Sequence, residues 1–242
     1  MTERAPSIRP EGIRRRQLTL VPRGTPVGPS WLAKYPRRST TSIRRYERIA
    51  RWRDLALVTL TAPLWLSLIT VIALLVRFQD PSAPVFFRQP RTGRDGRRFE
   101  VLKFRTMVRD AEEMKQDLMH LNELTWPDFK ISNDPRVTKI GRILRSSSLD
   151  ELPQLFNVVA GDMALVGPRP TSFGVETYEI WHTARLDLRP GMTGLWQVAA
   201  RADLEWDRRV RLELAYVERM STALDFEILI RTLGAVFNRS GQ

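Results

Sequence analysis

At 242 residues, with 39 Lys/Arg against 27 Asp/Glu, the chain is long enough for one moderate domain with a real core and carries a net charge of +12. It has no Cys and only two His, His120 and His182, which excludes disulfides, thiolate metal sites and a multi-histidine zinc centre. The charge is uneven: residues 1–54 hold 14 Lys/Arg against 4 Asp/Glu, whereas residues 77–242 hold 25 against 23.

Residues 1–42 place Pro6, Pro10, Pro22, Pro26, Pro29 and Pro36 among Arg, Ser and Thr, the composition of a disordered basic arm. Such an arm attracts nucleic acid or an anionic membrane surface, and the next segment decides between them. Leu55 to Val76 is a run of 22 residues without a charge. As a helix it extends about 33 Å at roughly 1.5 Å per residue, enough for a hydrocarbon layer of about 30 Å. It starts too late for a secretory signal and no small-residue cleavage site follows. Both flanks are basic, with Arg44, Arg45, Arg48, Arg51 and Arg53 before it and Arg77, Arg88, Arg91, Arg94, Arg97 and Arg98 after it. Pro63 inside the run removes a helix hydrogen bond. Two basic flanks and an internal proline suit a bent helix that dips into the bilayer and returns; a plain spanning helix with a tolerated proline is the alternative.

Beyond the run, VFFRQ (85–89) and FEVLKF (99–104) flank a loop containing Asp-Gly and predict a β-hairpin. Residues 107–124 predict a polar helix with Met114, Leu118, Leu121 and Leu124 on one side. A helix is expected over 149–160, then the loop GDMALVGPRP (161–170), in which Asp162 forms a turn, and another helix over Glu176–Leu186. PGMTGLWQV (190–198) reads as a turn and a short strand, and Leu204–Arg219 and Leu224–Phe237 as closing helices. In the last, Phe226, Leu229, Ile230, Leu233, Val236 and Phe237 recur at spacings of three and four, a stripe that suits either the core or a membrane surface. His120 and His182 are expected as surface or packing residues, and Trp181, Trp196 and Trp206 as core or interfacial ones rather than base-stacking platforms.

The chemistry concentrates in SSSLDELPQLFNVVAGDMALVGPRP (146–170). Asp150 and Glu151 are adjacent carboxylates at a helix start, suited to sharing a Mg²⁺ whose other ligands are substrate phosphates. An ionised aspartate is also a competent nucleophile in phosphoryl transfer. Ser148-Leu149-Asp150-Glu151 equally fits a capping box, S-x-x-E, which needs no catalysis. Cations stand in the turn-rich segments around the pair: Lys103 and Arg105 at the end of the second hairpin strand, Arg145, and Arg169 between two prolines. Arg and Lys bind phosphate oxygens as a fork and as a point charge respectively.

Together these segments resemble the bacterial sugar transferases that prime polysaccharide and glycan synthesis, the monotopic polyprenyl-phosphate phosphoglycosyltransferases. The matching text is R-W-R-D before the apolar run, PVFFRQPRTGRDGRRFEVLKFRTM, NDPRVTKIGRILRSSSLDELPQLFNVVAGDMALVGPRP and RPGMTGLWQV, collinear over about residues 48–237, in the manner of the small single-domain form. The resemblance implies that Asp150 is the nucleophile attacking the β-phosphate of a UDP-sugar with release of UMP, and that Glu151 helps hold Mg²⁺. It further implies that Lys103, Arg145 and Arg169 contact phosphates, and that Pro63 breaks a re-entrant helix. Where the family commonly has Gly-Arg after WQV, this chain has Ala200-Arg201, which alters the loop that would bring Arg201 to the nucleotide.

The expectation is therefore an α+β protein with three parts: the disordered arm 1–42, a re-entrant membrane-associated helix within 43–76, and a cytoplasmic catalytic domain over 77–242 built from a β-hairpin and helices, some amphipathic and interfacial. It would sit on the cytoplasmic face of the bacterial inner membrane. Its partners would be a UDP-sugar, a polyprenyl (undecaprenyl) phosphate and membrane lipids, in initiation of exopolysaccharide, capsule or glycan synthesis. Nucleic acid is not expected as a partner, and homo-oligomerisation is left open. Two rivals stand against this reading. A membrane-tethered nucleic-acid-binding or scaffold protein would depend on the arm, and a multi-spanning transferase would need several apolar runs where one exists.

Overall fold

The computed structural model describes residues 28–37, 43–123, 131–199 and 205–237. The apolar run is divided between two helices, α1 (Ile43–Leu60) and α2 (Ala62–Gln79), that meet at Thr61. Pro63 lies in the first turn of α2, where a missing N–H does no harm. The Trp65 indole donates to the Val58 carbonyl across the break at 2.9 Å, so a backbone acceptor at the interruption is satisfied by a side chain.

Helix α2 has two apolar faces. Trp65, Ile69, Ile72 and Val76, spaced by four and three, pack with Val101, Phe104, Leu144, Val158 and Met163 in one core cluster. A second stripe, Leu64, Leu68, Val71, Leu75 and Phe78, lies about 100° round the helix from the first and is 39–78% exposed. One side of the helix is thus bound to the rest of the protein over nearly its whole length.

The hairpin forms as expected but with longer strands. β1 (Phe86–Thr92) and β2 (Arg98–Phe104) pair antiparallel with Phe86 opposite Phe104. Its tip turns through Asp95 and Gly96, both at positive φ. Next come α3 (Lys139–Ser146) and α4 (Gln154–Ala160). Strand β3 (Ala164–Val166) pairs in parallel with β4 (Gly191–Thr193), and the crossover between them contains 3-10 segments at Val175–Thr177 and Ile180–Asp187. Then follow α5 (Leu195–Ala199), α6 (Trp206–Arg219) and α7 (Thr222–Phe237).

A second core cluster joins α1 to the C-terminal helices through Tyr46, Leu195, Tyr216, Met220, Leu224 and Ile228. At its centre Asp225 accepts from the Tyr46 hydroxyl at 2.7 Å and the Tyr216 hydroxyl at 2.8 Å, and pairs with Arg53. Asp54 pairs with Arg53 at 2.7 Å and accepts from the Leu165 N–H of β3 at 3.0 Å. Arg51 donates to the Val158 and Val159 carbonyls at the end of α4. The basic flank R-W-R-D is therefore largely a set of bonds from α1 into the domain.

Several expectations are corrected. Residues 107–123 form no α-helix: Met107 bridges to Val137, Ala111 is buried, and beyond it come 3-10 turns at Glu113–Lys115 and Met119–Leu121, with Met119 and Leu121 exposed. A short polar segment without a core to lie on does not hold an α-helix; Leu124 lies outside the described residues. The segment at 176–186 is 3-10 rather than α-helical, and LWQV is helical rather than extended, with Leu195 turned into the core. The stripe of α7, expected to meet either the core or a membrane surface, divides: Leu229 packs beside buried Leu224 and Ile228, while Phe226, Ile230 and Leu233 are exposed, at 42–68%. Within the arm expected to be disordered, Ser30–Lys34 form a 3-10 turn that buries Leu32. Lys34 pairs with Glu227 at 2.7 Å and Arg231 lies over the Trp31 ring. Residues 1–27 and 38–42 of the arm lie outside the described residues.

Candidate active site

The site is assembled by docking α4 against β2. Asn157 of α4 accepts from the Leu102 N–H at 3.0 Å and donates to the Glu100 carbonyl at 2.7 Å, so its amide serves β2 as a neighbouring strand would. That register places the turn before α4 beside Lys103. Asp150 and Glu151 lie on this turn, a 3-10 segment spanning Leu149–Glu151. Ser148 precedes it in the left-handed region, φ 57°, and its side chain caps nothing. The capping-box alternative is thereby set aside, because the Glu151 carboxylate is engaged elsewhere.

Glu151 Oε1 accepts from Lys103 Nζ at 2.8 Å and from Arg169 Nη2 at 2.6 Å, and Oε2 from Arg169 Nη1 at 3.3 Å. Burial alone would push this carboxyl up, but Arg169 and Lys103 outweigh it and hold Glu151 far below the usual carboxylate range. Asp150, one residue away, has no hydrogen-bond partner among the described residues. Burial, reinforced by the Glu151 charge, raises its carboxyl above the ordinary value against the pull of Lys103, Arg145 and Arg169. One carboxylate is thus locked ionised by a cationic clamp, while its neighbour is more basic and unoccupied.

Arg145 comes from the last turn of α3 and donates to Thr106 Oγ1 at 2.9 Å. The start of α3 lies so close to the strand end that a Cβ at Gly141 would collide with the Thr106 backbone. Lys103, Arg145 and Arg169 therefore all gather round the acidic pair. Arg105 does not: it donates to the Pro84 carbonyl at 2.9 Å and lies over the Phe87 ring. Arg201 lies outside the described residues. Pro63 is far along the chain in α2, and its place is the helix break.

Arg169 also forms one wall of a small, half-open cleft of about 70 Å³, with Arg91, Arg185, Arg209, Trp196 and Trp206 among the other walls. Arg209 stacks over both tryptophans at 5.7 and 5.9 Å. Trp181, by contrast, is buried with His182, as the sequence suggested. Cations and flat rings are groups that can bind phosphates and a nucleobase.

Among the described residues no three His, Cys, Asp or Glu side chains gather to hold a metal. Mg²⁺ needs only one or two carboxylates when phosphates and water complete its shell. Asp150 is open, and Glu151 Oε2 accepts a single long bond, so both retain lone pairs. Three cations surround these two charges, which disfavours a bare divalent ion but not one that arrives on a diphosphate. The residues fit a metal carried in with its substrate.

The match to known proteins runs along the same elements. Residues 45–239 match the family model of the bacterial sugar transferases. The chain belongs to that family. It is 42% identical over 192 residues to the UDP-galactose-lipid carrier transferase of Erwinia amylovora, covering 77% of this chain and 39% of that protein. It is 44% identical over 163 residues to the undecaprenyl-phosphate galactose phosphotransferase of Salmonella typhimurium, 65% of this chain and 34% of that protein. With the exopolysaccharide production protein ExoY of Rhizobium meliloti it shares 38% over 188 residues, 76% of this chain and 83% of that one. The chain thus spans little more than a third of the first two relatives and most of the third.

Trp206 packs against the Trp181 cluster, as expected of a core residue. Sequence reasoning missed Asn157, Thr106, Arg185 and Glu213. Asn157 had a faint signal, a lone amide inside the apolar run LPQLFNVVA; the others come from segments distant in the chain.

Proposed function

We propose that the protein transfers a sugar-1-phosphate from a UDP-sugar to a polyprenyl phosphate through a covalent intermediate on Asp150. The observation that carries this reading is the contrast within the acidic pair: Glu151 tied into Lys103 and Arg169, and Asp150 unbonded, raised in pKa and faced by the same cations. The names of the relatives support the donor and acceptor classes.

In the first step an Asp150 carboxylate oxygen attacks the β-phosphorus and the bond to the bridging oxygen breaks, so UMP leaves with that oxygen. In the second, a phosphate oxygen of the polyprenyl phosphate attacks the same phosphorus and the acyl–oxygen–phosphorus link breaks, freeing Asp150. Lys103, Arg145 and Arg169 offset the phosphate charge as it shifts. Mg²⁺ held by Glu151 and Asp150 would add Lewis-acid neutralisation of the diphosphate. The cleft beside Arg169 receives the uridine nucleotide, with Trp196 and Trp206 against the base.

The acceptor's tail lies in lipid, so the site must lie at a membrane surface. In this reading α1 and α2 dip into the cytoplasmic leaflet of the bacterial inner membrane and return, with the break at Thr61 and Pro63 at the deepest point. Support comes from α2 itself: its buried stripe is held to the domain from Trp65 to Val76. Drawing it across a bilayer would pull α4 and the charged strand β2 into hydrocarbon. The outward stripe of α2 is the kind of large exposed apolar surface that lipid covers.

The test is UMP release by the chain reconstituted in lipid nanodiscs with a panel of UDP-sugars, polyprenyl phosphate and Mg²⁺. One donor should turn over and Asp150→Asn should abolish release; undiminished release by that variant would remove the assignment. Deleting residues 1–27 should leave turnover intact, whereas a nucleic-acid-binding or scaffold role for the arm requires the opposite.

A further inference from the structure

Arg169 reaches Glu151 from a loop, and loops do not by themselves hold a side chain to a fraction of an ångström. The peptide of Arg169 is gripped at both ends. Its N–H donates to Glu213 Oε1 at 2.8 Å, and its carbonyl accepts from Arg185 Nη2. Glu213, on α6, and Arg185, in the 3-10 segment of the crossover, are bonded to each other through Oε2 and Nε, with side chains 3% and 2% exposed. Arg185 Nη1 donates to the Tyr178 hydroxyl at 2.9 Å, which orients the guanidinium from its remaining side. Pro168 and Pro170 restrict the backbone on either side of the gripped residue.

We propose that Arg185 and Glu213 are positioning residues: a buried ion pair that fixes the Arg169 peptide so that its guanidinium meets Glu151 and the donor's phosphates in one orientation. This rests on the catalytic reading of the Asp150–Glu151 site. A purely stabilising role is the weaker explanation, because a buried ion pair contributes little that a well-packed apolar pair would not. What an apolar pair cannot do is accept from the Arg169 N–H and donate to the Arg169 carbonyl, and so hold the peptide groups on both sides of that residue. The acceptor on Glu213 and the donor on Arg185 do this, and each neutralises the other, so neither stands alone as a buried charge.

The test is a double-mutant cycle on UMP release by the full-length chain in nanodiscs, reading kcat and KM for the UDP-sugar separately. Glu213→Ala should lower kcat about 30-fold with Arg169 present and less than about 3-fold in an Arg169→Ala background, since there is then no guanidinium to position. Glu213→Asp, which retains both acceptor oxygens, should recover most of kcat. Because Glu213→Ala leaves Arg185 buried without a partner, Arg185→Met/Glu213→Leu serves as the folded control. It should still unfold cooperatively, at a temperature lowered only by the two backbone groups it leaves unpaired, and should still lose kcat.

Equal factors in both backgrounds would overturn the proposal, as would an apolar-pair variant with full kcat. A raised KM at unchanged kcat would also overturn it, since that would mark the pair as a cleft wall only. An Arg169→Ala enzyme with wild-type kinetics would instead dismiss the site reading itself, and the positioning role with it.

Discussion

Replacing Glu151 by Gln removes one negative charge from between two cations at nearly constant volume. The carboxylate accepts three charge-assisted bonds, at 2.6, 2.8 and 3.3 Å. Charged hydrogen bonds contribute roughly 1.5–3 kcal/mol each against about 0.5–1.5 for neutral ones, and one Gln oxygen becomes a donor facing a donor. Lys103 and Arg169 are 18% and 32% exposed, so water restores part of the loss. The net destabilisation is about 2–4 kcal/mol, or roughly 4–16 °C in Tm at about 2–4 °C per kcal/mol for a chain of this size. The pH dependence is the sharper signature. A carboxyl held far below its unfolded value contributes stability that is complete above that unfolded value and declines as pH falls towards the folded one. The gap between wild type and Glu151→Gln in thermal melts of nanodisc samples should therefore be full at neutral pH and narrow below about pH 4.3, the unperturbed glutamate value. A gap that is absent at neutral pH, or that stays constant into acid, would refute the clamp.

With its carboxyl raised in the free protein, Asp150 should make kcat/KM for the UDP-sugar, which reports the free enzyme, fall on acidification at a pH above that of an ordinary aspartate, because only the ionised carboxylate attacks. Arg145→Ala, which removes a cation lowering that pKa, should move this acid limb further up; a limb left in place would contradict the proximity. Asn157→Ala strips two bonds from the edge of β2 and should cost about 1–3 kcal/mol in denaturation, and Asn157→Asp should also be destabilised for want of a donor to Glu100. Leu64→Glu with Leu75→Glu, on the outward stripe of α2, should weaken binding in liposome flotation while leaving the melting temperature in detergent close to wild type; unchanged flotation would show that this stripe is not the lipid-facing surface.

The parts of the fold legible in the sequence are those whose information is local. The apolar run and its proline predicted a helix with a break, and the hairpin announced itself by two β-prone runs about an Asp-Gly turn. The acidic pair and its three cations were legible through family resemblance, and the structure brings Lys103, Arg145 and Arg169 together around them. What could not be read depends on contacts across long separations. β3 and β4 are three residues each and stabilise only as a parallel pair, so neither carries a periodic signal. Whether 107–123 coils into an α-helix depends on a surface to pack against, and none is present for Met119 or Leu121. Which of the two surfaces the α7 stripe would meet was not legible, because buried Asp225, paired with Arg53 and the two tyrosines, sits among the core positions, leaving Phe226, Ile230 and Leu233 exposed. Arg51, Arg53 and Arg98 looked like membrane flank charges, yet Arg51 and Arg98 donate to carbonyls of the domain and Arg53 pairs with Asp54 and Asp225.

The covalent step can be observed without any acceptor. Mixing the chain with its UDP-sugar and Mg²⁺ in the absence of polyprenyl phosphate, quenching in acid and taking a peptide mass spectrum should reveal a sugar-phosphate adduct on the peptide carrying Asp150, which vanishes when polyprenyl phosphate is added. UMP release that proceeds to product with no adduct on that peptide under rapid quench, or an adduct that survives Asp150→Asn, would contradict the account.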